Sequence, residues 1–255
     1  MAENKYRKCA FAFLDILGYK NIVNSLDENK DKAMEFIYNL ESLMDGCLST
    51  IDIYKDMGIE YIIFSDSICI WAYLDDDDNY SNGKFSYEYL EQCYYKILSL
   101  CQVICGIQRR GVRYNLLFRG AISIGNSYHT RNVLFSSALV KSYIAEGQKS
   151  IYPRIILNFD NDDDILKALK DSLLATGWLC YYDNQVMTDF VGIVYGGNFF
   201  MHELIALELD QIRDIIQRGL DEYRDNEHIF EKYEWLAQYF NLKLRGAYKE
   251  KMISV

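Results

Sequence analysis

Residues 10–14, AFAFL, constrain this chain more than any other stretch. An apolar run that ends on an acid, Asp15, and then reaches Gly18 reads as a buried strand, here taken over residues 9–17. The residues beyond Gly18 set an order of elements. Residues 30–49 carry Met34, Ile37, Leu40, Leu43 and Met44 at helical spacing, with Asn29 or Asp31 as the cap. Residues 59–65 and 67–73 are two strand-like runs, and the tight SDS between them reads as a hairpin turn. Residues 86–109 form a long helix with Leu90, Cys93, Tyr94, Ile97, Leu98 and Cys101 as its apolar stripe. Next come a strand at 116–125, a short one at 132–135, a helix at 136–147 capped by Ser136 or Ser137, and a strand at 154–158. The first six elements, β–α–β–β–α–β, have the order of a ferredoxin-like sandwich.

The fold class expected is therefore α+β: a ferredoxin-like core over about residues 8–158 with a C-terminal extension over 159–255. The extension opens with an acid-capped helix at 160–174, then two strands, GWLCYYD and DFVGIVY, around a turn. An amphipathic helix at 202–224 and a last helix, HIFEKYEWLAQYFNLKL, end it. With a single proline, Pro153, no proline-rich linker divides the chain, and residues 1–255 read as one domain. The four acids of DDDDNYSNG at 75–83 invite a calcium ligand, but the fixed glycine and distal glutamate of an EF-hand are missing, and a solvated loop is the better reading.

The net charge of −10 argues against a protein that grips nucleic acid through its phosphates. Seven cysteines, an odd number without a CxxC pair, read as reduced, buried thiols. Three histidines, none at zinc spacing, disfavour a His/Cys zinc site. No run reaches the roughly 18 apolar residues of a membrane span. The polar start, MAENKYRK, has no signal-peptide core behind it, and a cytoplasmic location is expected.

Two acids at strand ends carry the chemistry. Asp15 closes the first strand and Asp66 sits in the hairpin turn. In a ferredoxin-like sheet the first strand lies beside the hairpin, so the two carboxylates converge. Carboxylates are hard oxygen ligands suited to Mg²⁺ or Mn²⁺, and two such ions held by shared acids clamp a phosphoryl group. Gly18 and Tyr19 turn the chain into a helix whose first N–H groups suit phosphate oxygens, and Lys20 adds a cation. The plainer alternative for Asp15 is a helix cap.

Three stretches resemble class III nucleotidyl cyclases. FLDILGYK is similar to their first metal motif, IIFSDSICIW to their second metal hairpin, and FRGAISIG to the strand that bears a phosphate-contacting arginine, here Arg119. The resemblance covers roughly residues 9–158. Two departures matter: no lysine precedes Asp66 to read adenine, and the helix SALVKSYIAEG offers Val140 and Ile144 where the family has an Asn and an Arg. With ALVKSYIAEGQKSIYPRI and the KYEWLAQYFN helix, the pattern looks most like the bacterial pyrimidine cyclases of the Pycsar anti-phage systems.

That resemblance implies conversion of UTP, or alternatively CTP, to the 3′,5′-cyclic monophosphate and pyrophosphate. It implies two divalent ions, Mn²⁺ or Mg²⁺, held by Asp15, Asp66 and the carbonyl of Ile16. It implies a head-to-tail homodimer with interface active sites and a separate effector answering the cyclic nucleotide. Phe13, Gly18, Tyr19 and Lys20 are the nucleotide-binding candidates near the first motif. Tyr61 and Ser65 are candidates for the base, and Tyr61 and Phe64 for narrowing its pocket. Lys149 and Arg154 are candidates for the phosphate tail. For Arg119 the competing role is a surface ion pair, for Tyr61 a place in the core, and for Tyr152-Pro153 a plain turn. Two other functions stay open: a degenerate cyclase fold used as a nucleotide sensor or dimerisation module, and a purine cyclase with an unusual base pocket.

Overall fold

In the computed structural model, residues 6–26, 29–74, 85–159, 164–196 and 202–255 are described. The acidic loop at 75–83 falls outside them, as do the first acids of the 160–174 helix.

The first strand, β1 (Arg7–Ile16), leads through Leu17 and Gly18 into α1 (Tyr19–Leu26) and α2 (Lys30–Asp52). Asn29 caps α2, accepting from the Lys32 amide at 3.2 Å. The hairpin is β2 (Ile59–Phe64) and β3 (Ser67–Tyr73); α3 (Tyr87–Arg113) then returns the chain to β4 (Phe118–Thr130). β1 pairs antiparallel with both β3 and β4, and β2 pairs with β3. The order β2-β3-β1-β4 is that of a ferredoxin-like core.

Beyond it, β5 (Val133–Ser136) folds back on β4, and α4 (Ser137–Lys149), capped by Ser136, runs to β6 (Ile155–Leu157), parallel to β4. The sheet continues through β8 (Gln185–Thr188) to β7 (Leu179–Tyr182), reached by way of α5 (Asp164–Ala175). Two helices, α6 (His202–Glu222) and α7 (Glu227–Lys243), close the chain.

Alternation along β1 sorts its side chains between two faces. Ala10, Ala12, Leu14 and Ile16 join the large cluster formed with α2 and α3. Cys9, Phe11 and Phe13 lie on the other face with Trp71 and Ala138, under α4. Leu209, Ile212, Trp235, Leu236 and Phe240 of the C-terminal helices pack with Ile156 of β6 and Met187 of β8. All seven cysteines are free, and six are buried. Burial pushes the Cys9, Cys47, Cys69 and Cys101 thiols up to about 12, which keeps them inert.

One expected strand is not there. DFVGIVY, residues 189–195, begins where β8 has ended and runs into a 3-10 turn, Gly192–Gly196. Asp189 causes the turn. Its carboxylate accepts from the Gly192 amide at 2.7 Å, the Tyr239 hydroxyl at 2.6 Å and Lys243 Nζ at 2.6 Å. Phe190, Val191 and Val194 are buried all the same, so the run is apolar for a reason other than pairing. No helix among the described residues is long and apolar enough to cross a membrane.

Candidate active site

Register places the site. Asp15 stands opposite Ser67 on β3 and opposite Arg119 on β4, and Ser67 stands opposite Phe64 on β2. Paired residues share a face, so Phe64, Ser67, Asp15 and Arg119 form one row across four strands on the α4 side. The next row is Ile62, Cys69, Phe13 and Ala121.

Asp66 joins the first row from the hairpin. Ser65 takes a left-handed backbone, φ 53°, and the Ile16 amide donates to the Asp66 carbonyl at 3.2 Å, tying the turn to the end of β1. The two carboxylates feel each other. Burial, and then the charge of Asp66, raise Asp15 from 3.8 to about 6 against the opposing pull of Arg119.

The strand exit is equally defined. The Leu17 amide donates to the Leu117 carbonyl at 2.8 Å. Gly18 turns at φ +79°, and its carbonyl accepts from the Asn21 and Ile22 amides at 2.9 and 3.1 Å, starting α1. The Tyr19 and Lys20 amides therefore open a helix and have no partner within it. Lys20 is exposed, while the Tyr19 ring leans on Phe36.

Arg119 is held between two acids. Its Nε and Nη2 donate to Asp15 Oδ2 at 3.3 and 3.2 Å, and Nε also lies 2.6 Å from Oε1 of Glu146 on α4. Burial raises the Glu146 carboxyl above its usual range and the Arg119 charge opposes the rise. From α7, Lys232 enters the field of Arg119: burial first, then that charge, push its ammonium down. Neither Glu146 nor Lys232 stands out in the sequence reading. For Glu146 a signal exists: it follows Ala138, Ser142 and Ala145 on the buried stripe of α4, and a buried acid needs a cation.

Three sequence candidates are placed elsewhere. Tyr61 pairs with Ile70 and so lies on the α2–α3 face of β2, opposite to Asp15; Phe64 takes the position on the carboxylate face. Arg154 is buried and bound to Asp183 Oδ2 at 2.7 Å and the Lys149 carbonyl at 2.8 Å, with its guanidinium over the Tyr152 and Trp235 rings. It braces α7 against β6 and is not free for a phosphate tail. Lys149 Nζ lies 3.4 Å from Asn158 Oδ1. Phe13 is next to the site but buried, with its ring edge-on to Tyr143 at 5.5 Å.

The donor set fits a divalent ion. Asp15 is a half-buried, hard carboxylate beside the charge of a second one, Asp66, an arrangement a cation relieves. Among the described residues no group of three or more His, Cys, Asp or Glu could hold a metal ion.

A cavity of about 990 Å³ opens on another part of the molecule, lined by Arg109, Arg113, Trp178, Tyr195, Glu208 and Arg245 among others. None of the sequence candidates lines it, and Glu208 already binds both Arg109 and Arg113.

No family model matches the chain, and no curated protein sequence does. Solved structures with a similar course of chain include the guanylyl cyclase domain of the RhoGC fusion protein from the aquatic fungus Blastocladiella emersonii, at 12% identity over 71% of this chain and 94% of that one, TM-score 0.41. The adenylyl cyclase CyaB from P. aeruginosa is 10% identical over 72% and 92%, TM-score 0.40. The catalytic core of a rhodopsin-guanylyl cyclase with converted specificity is 11% identical over 72% and 96%, TM-score 0.39. Likeness of this degree leaves the function to this chain's own geometry.

Proposed function

We propose that the chain is a nucleotidyl cyclase that converts UTP to 3′,5′-cyclic UMP and pyrophosphate, with CTP as the alternative substrate. The observation that carries this reading is the convergence of Asp15 and Asp66 at the end of one sheet row, beside Arg119 and the Gly18 turn. A half-buried carboxylate raised by burial and then by the charge of a neighbouring carboxylate has no use in a packing role.

In this reading Asp15, Asp66 and the Ile16 carbonyl hold two divalent ions, Mn²⁺ or Mg²⁺. When bound, those ions lower the pKa of the attacking hydroxyl and neutralise the leaving phosphates. The amides of Tyr19 and Lys20, with the Lys20 ammonium, orient the triphosphate at the start of α1. Arg119 contacts a phosphate oxygen. The ribose 3′-oxygen attacks the α-phosphorus in line, the bond to the β-phosphate oxygen breaks, and pyrophosphate leaves.

Phe64 and Ser65 stand where purine cyclases carry a base-reading lysine. An exposed ring there narrows the pocket, which suits a pyrimidine, and hydrogen bonds to O4 or N4 separate uracil from cytosine. The anti-phage role, the separate effector and the cytoplasmic location follow the Pycsar resemblance. So does the head-to-tail homodimer, which the exposed apolar stripe Val140, Tyr143 and Ile144 on α4 also supports.

The test is product analysis by mass spectrometry. Purified protein is given ATP, GTP, CTP and UTP together with Mn²⁺, beside Asp66→Ala. Cyclic UMP from wild type alone is the expected result; cyclic CMP moves the substrate to CTP, and a purine product sinks the pyrimidine reading.

One observation favours a second reading, a nucleotide sensor or dimerisation module. Val140 and Ile144 leave α4 without the transition-state Asn and Arg of related cyclases, and both are exposed. Asp15→Ala separates the two: an enzyme loses turnover with its fold intact, whereas a scaffold loses nothing.

A further inference from the structure

The Arg119 N–H groups are not all aimed at the acids around it. Its Nε–H is aimed at Asp15 Oδ2, 3.3 Å away, while Glu146 Oε1 lies closer, at 2.6 Å, without accepting a hydrogen bond. Glu146 is buried, with a side chain 5% exposed, so water does not supply the missing donor. A buried carboxylate oxygen touching a guanidinium that points elsewhere is a seat kept ready. A small rotation of the guanidinium moves Nε–H from Asp15 to Glu146.

Charge says when that rotation occurs. With no cation present, Asp15 and Asp66 repel each other and Arg119 relieves Asp15. Once Asp15 turns its oxygens to a divalent cation, a guanidinium on the same carboxylate is a like charge at close range. Arg119 then needs another anion. Glu146 is already in contact, and it sits on the rigid, buried face of α4, anchored by the Ser142 hydroxyl to the Phe11 carbonyl at 2.9 Å.

We propose that Glu146 is the positioning residue of this site: it receives the Arg119 Nε–H when Asp15 takes up a divalent cation, leaving both Nη groups free for phosphate oxygens. This rests on the metal site described above and adds to it a residue that acts only through Arg119. It also explains why a helix lacking the usual polar groups keeps one buried acid.

The experiment titrates Mn²⁺ alone into the full chain and reads binding by calorimetry and by the rise in melting temperature. The proteins are wild type, Glu146→Gln, Arg119→Ala and the double variant. In Glu146→Gln the second seat keeps only a neutral amide oxygen, so the guanidinium stays mostly on Asp15 and apparent Mn²⁺ affinity falls roughly tenfold, the scale of the charge lost from one charge-assisted hydrogen bond. In the Arg119→Ala background the same substitution changes affinity less than about twofold, because nothing is left to position. Equal affinity of Glu146→Gln and wild type overturns the proposal. An undiminished loss in the Arg119→Ala background overturns it too, since that is a through-space charge effect.

If Glu146→Gln fails to fold, Glu146→Asp keeps the charge but withdraws the carboxylate, and a smaller loss that again vanishes without Arg119 is expected. Wild type that binds no Mn²⁺ overturns the metal site and this proposal with it. Wild type that binds Mn²⁺ but forms no cyclic product overturns the cyclase reading, while the Glu146 comparison still decides between the two outcomes above. In an active enzyme the KM for the nucleotide rises more than kcat falls, because the freed Nη groups serve binding.

Discussion

Asp15 titrates where few aspartates do, and the consequence has a definite sign. Its carboxyl is raised from 3.8 to about 6 by burial and by Asp66, so the folded state favours the protonated form. The stability this contributes is complete below the unfolded value and is lost as pH rises through about 6. The metal-free protein should therefore gain melting temperature relative to Asp15→Asn as pH falls from 7 to 5. Mn²⁺ needs the carboxylate, so its stabilising effect should fade over the same window. A thermal-shift series across pH 5–8 checks both, and a Mn²⁺ effect flat in pH rules out Asp15 as a ligand. Two glycines give a second contrast. A methyl at Gly18 meets nothing within 4 Å, and its cost is only the left-handed backbone, about 1 kcal/mol. At Gly120 a Cβ would stand 2.3 Å from the Phe13 carbonyl oxygen in the neighbouring strand. Gly120→Ala should thus lower the urea midpoint well beyond Gly18→Ala, because β1 and β4 must separate to admit it.

Elements follow the sequence pattern faithfully where local apolar spacing alone decides them. The ends of β1, β2, β3 and α3 lie within a few residues of the expected ones: β1 and β3 are continuous apolar runs buried on both faces, and α3 carries apolar residues at helical spacing. Residues 189–195 break that rule. A short apolar run is buried alike as strand or turn; the Gly192 amide makes Asp189 a local turn cap, and its carboxylate is fixed there by the long-range partners Tyr239 and Lys243. Those partners lie about 50 residues away and leave no local mark. Arg154 misleads for the same reason: its partners Asp183 and Trp235 come from distant elements. Asp66 and Asp15 are legible because strand ends and hairpin turns are local features. Glu146 needs knowledge of which strand α4 covers. The anchor makes a prediction of its own. Asp189→Ala leaves Lys243 and the Tyr239 hydroxyl without their acceptor inside the C-terminal core. It should cost about 3 kcal/mol, the scale for breaking a buried pair, with Asp189→Asn costing less. Chemical unfolding measures both, and equal midpoints for the alanine variant and wild type would show that the turn holds without its carboxylate.

At the scale of the whole molecule, one exposed apolar stripe lies on the helix that carries Glu146. A chain with a net charge of −10 keeps Val140, Tyr143 and Ile144 exposed along one stripe of α4, with Phe64 uncovered at the edge of the same sheet face. These positions frame the row that ends in Asp15 and Arg119, so whatever covers the stripe also closes the site. A second copy of the chain is the occupant the cyclase reading requires. In that reading association controls turnover. Specific activity should fall on dilution in step with the loss of dimer by sedimentation, and Ile144→Lys should shift both curves to higher concentration. The substitution lies on the solvent side of α4, where surface changes away from packing cost under about 0.5 kcal/mol, so the monomer should keep its melting temperature. Activity unaffected by dilution in a protein that sediments as a monomer would mean that one chain completes the site alone. In that case Lys232 of α7, already within the field of Arg119, becomes a candidate for the missing cation.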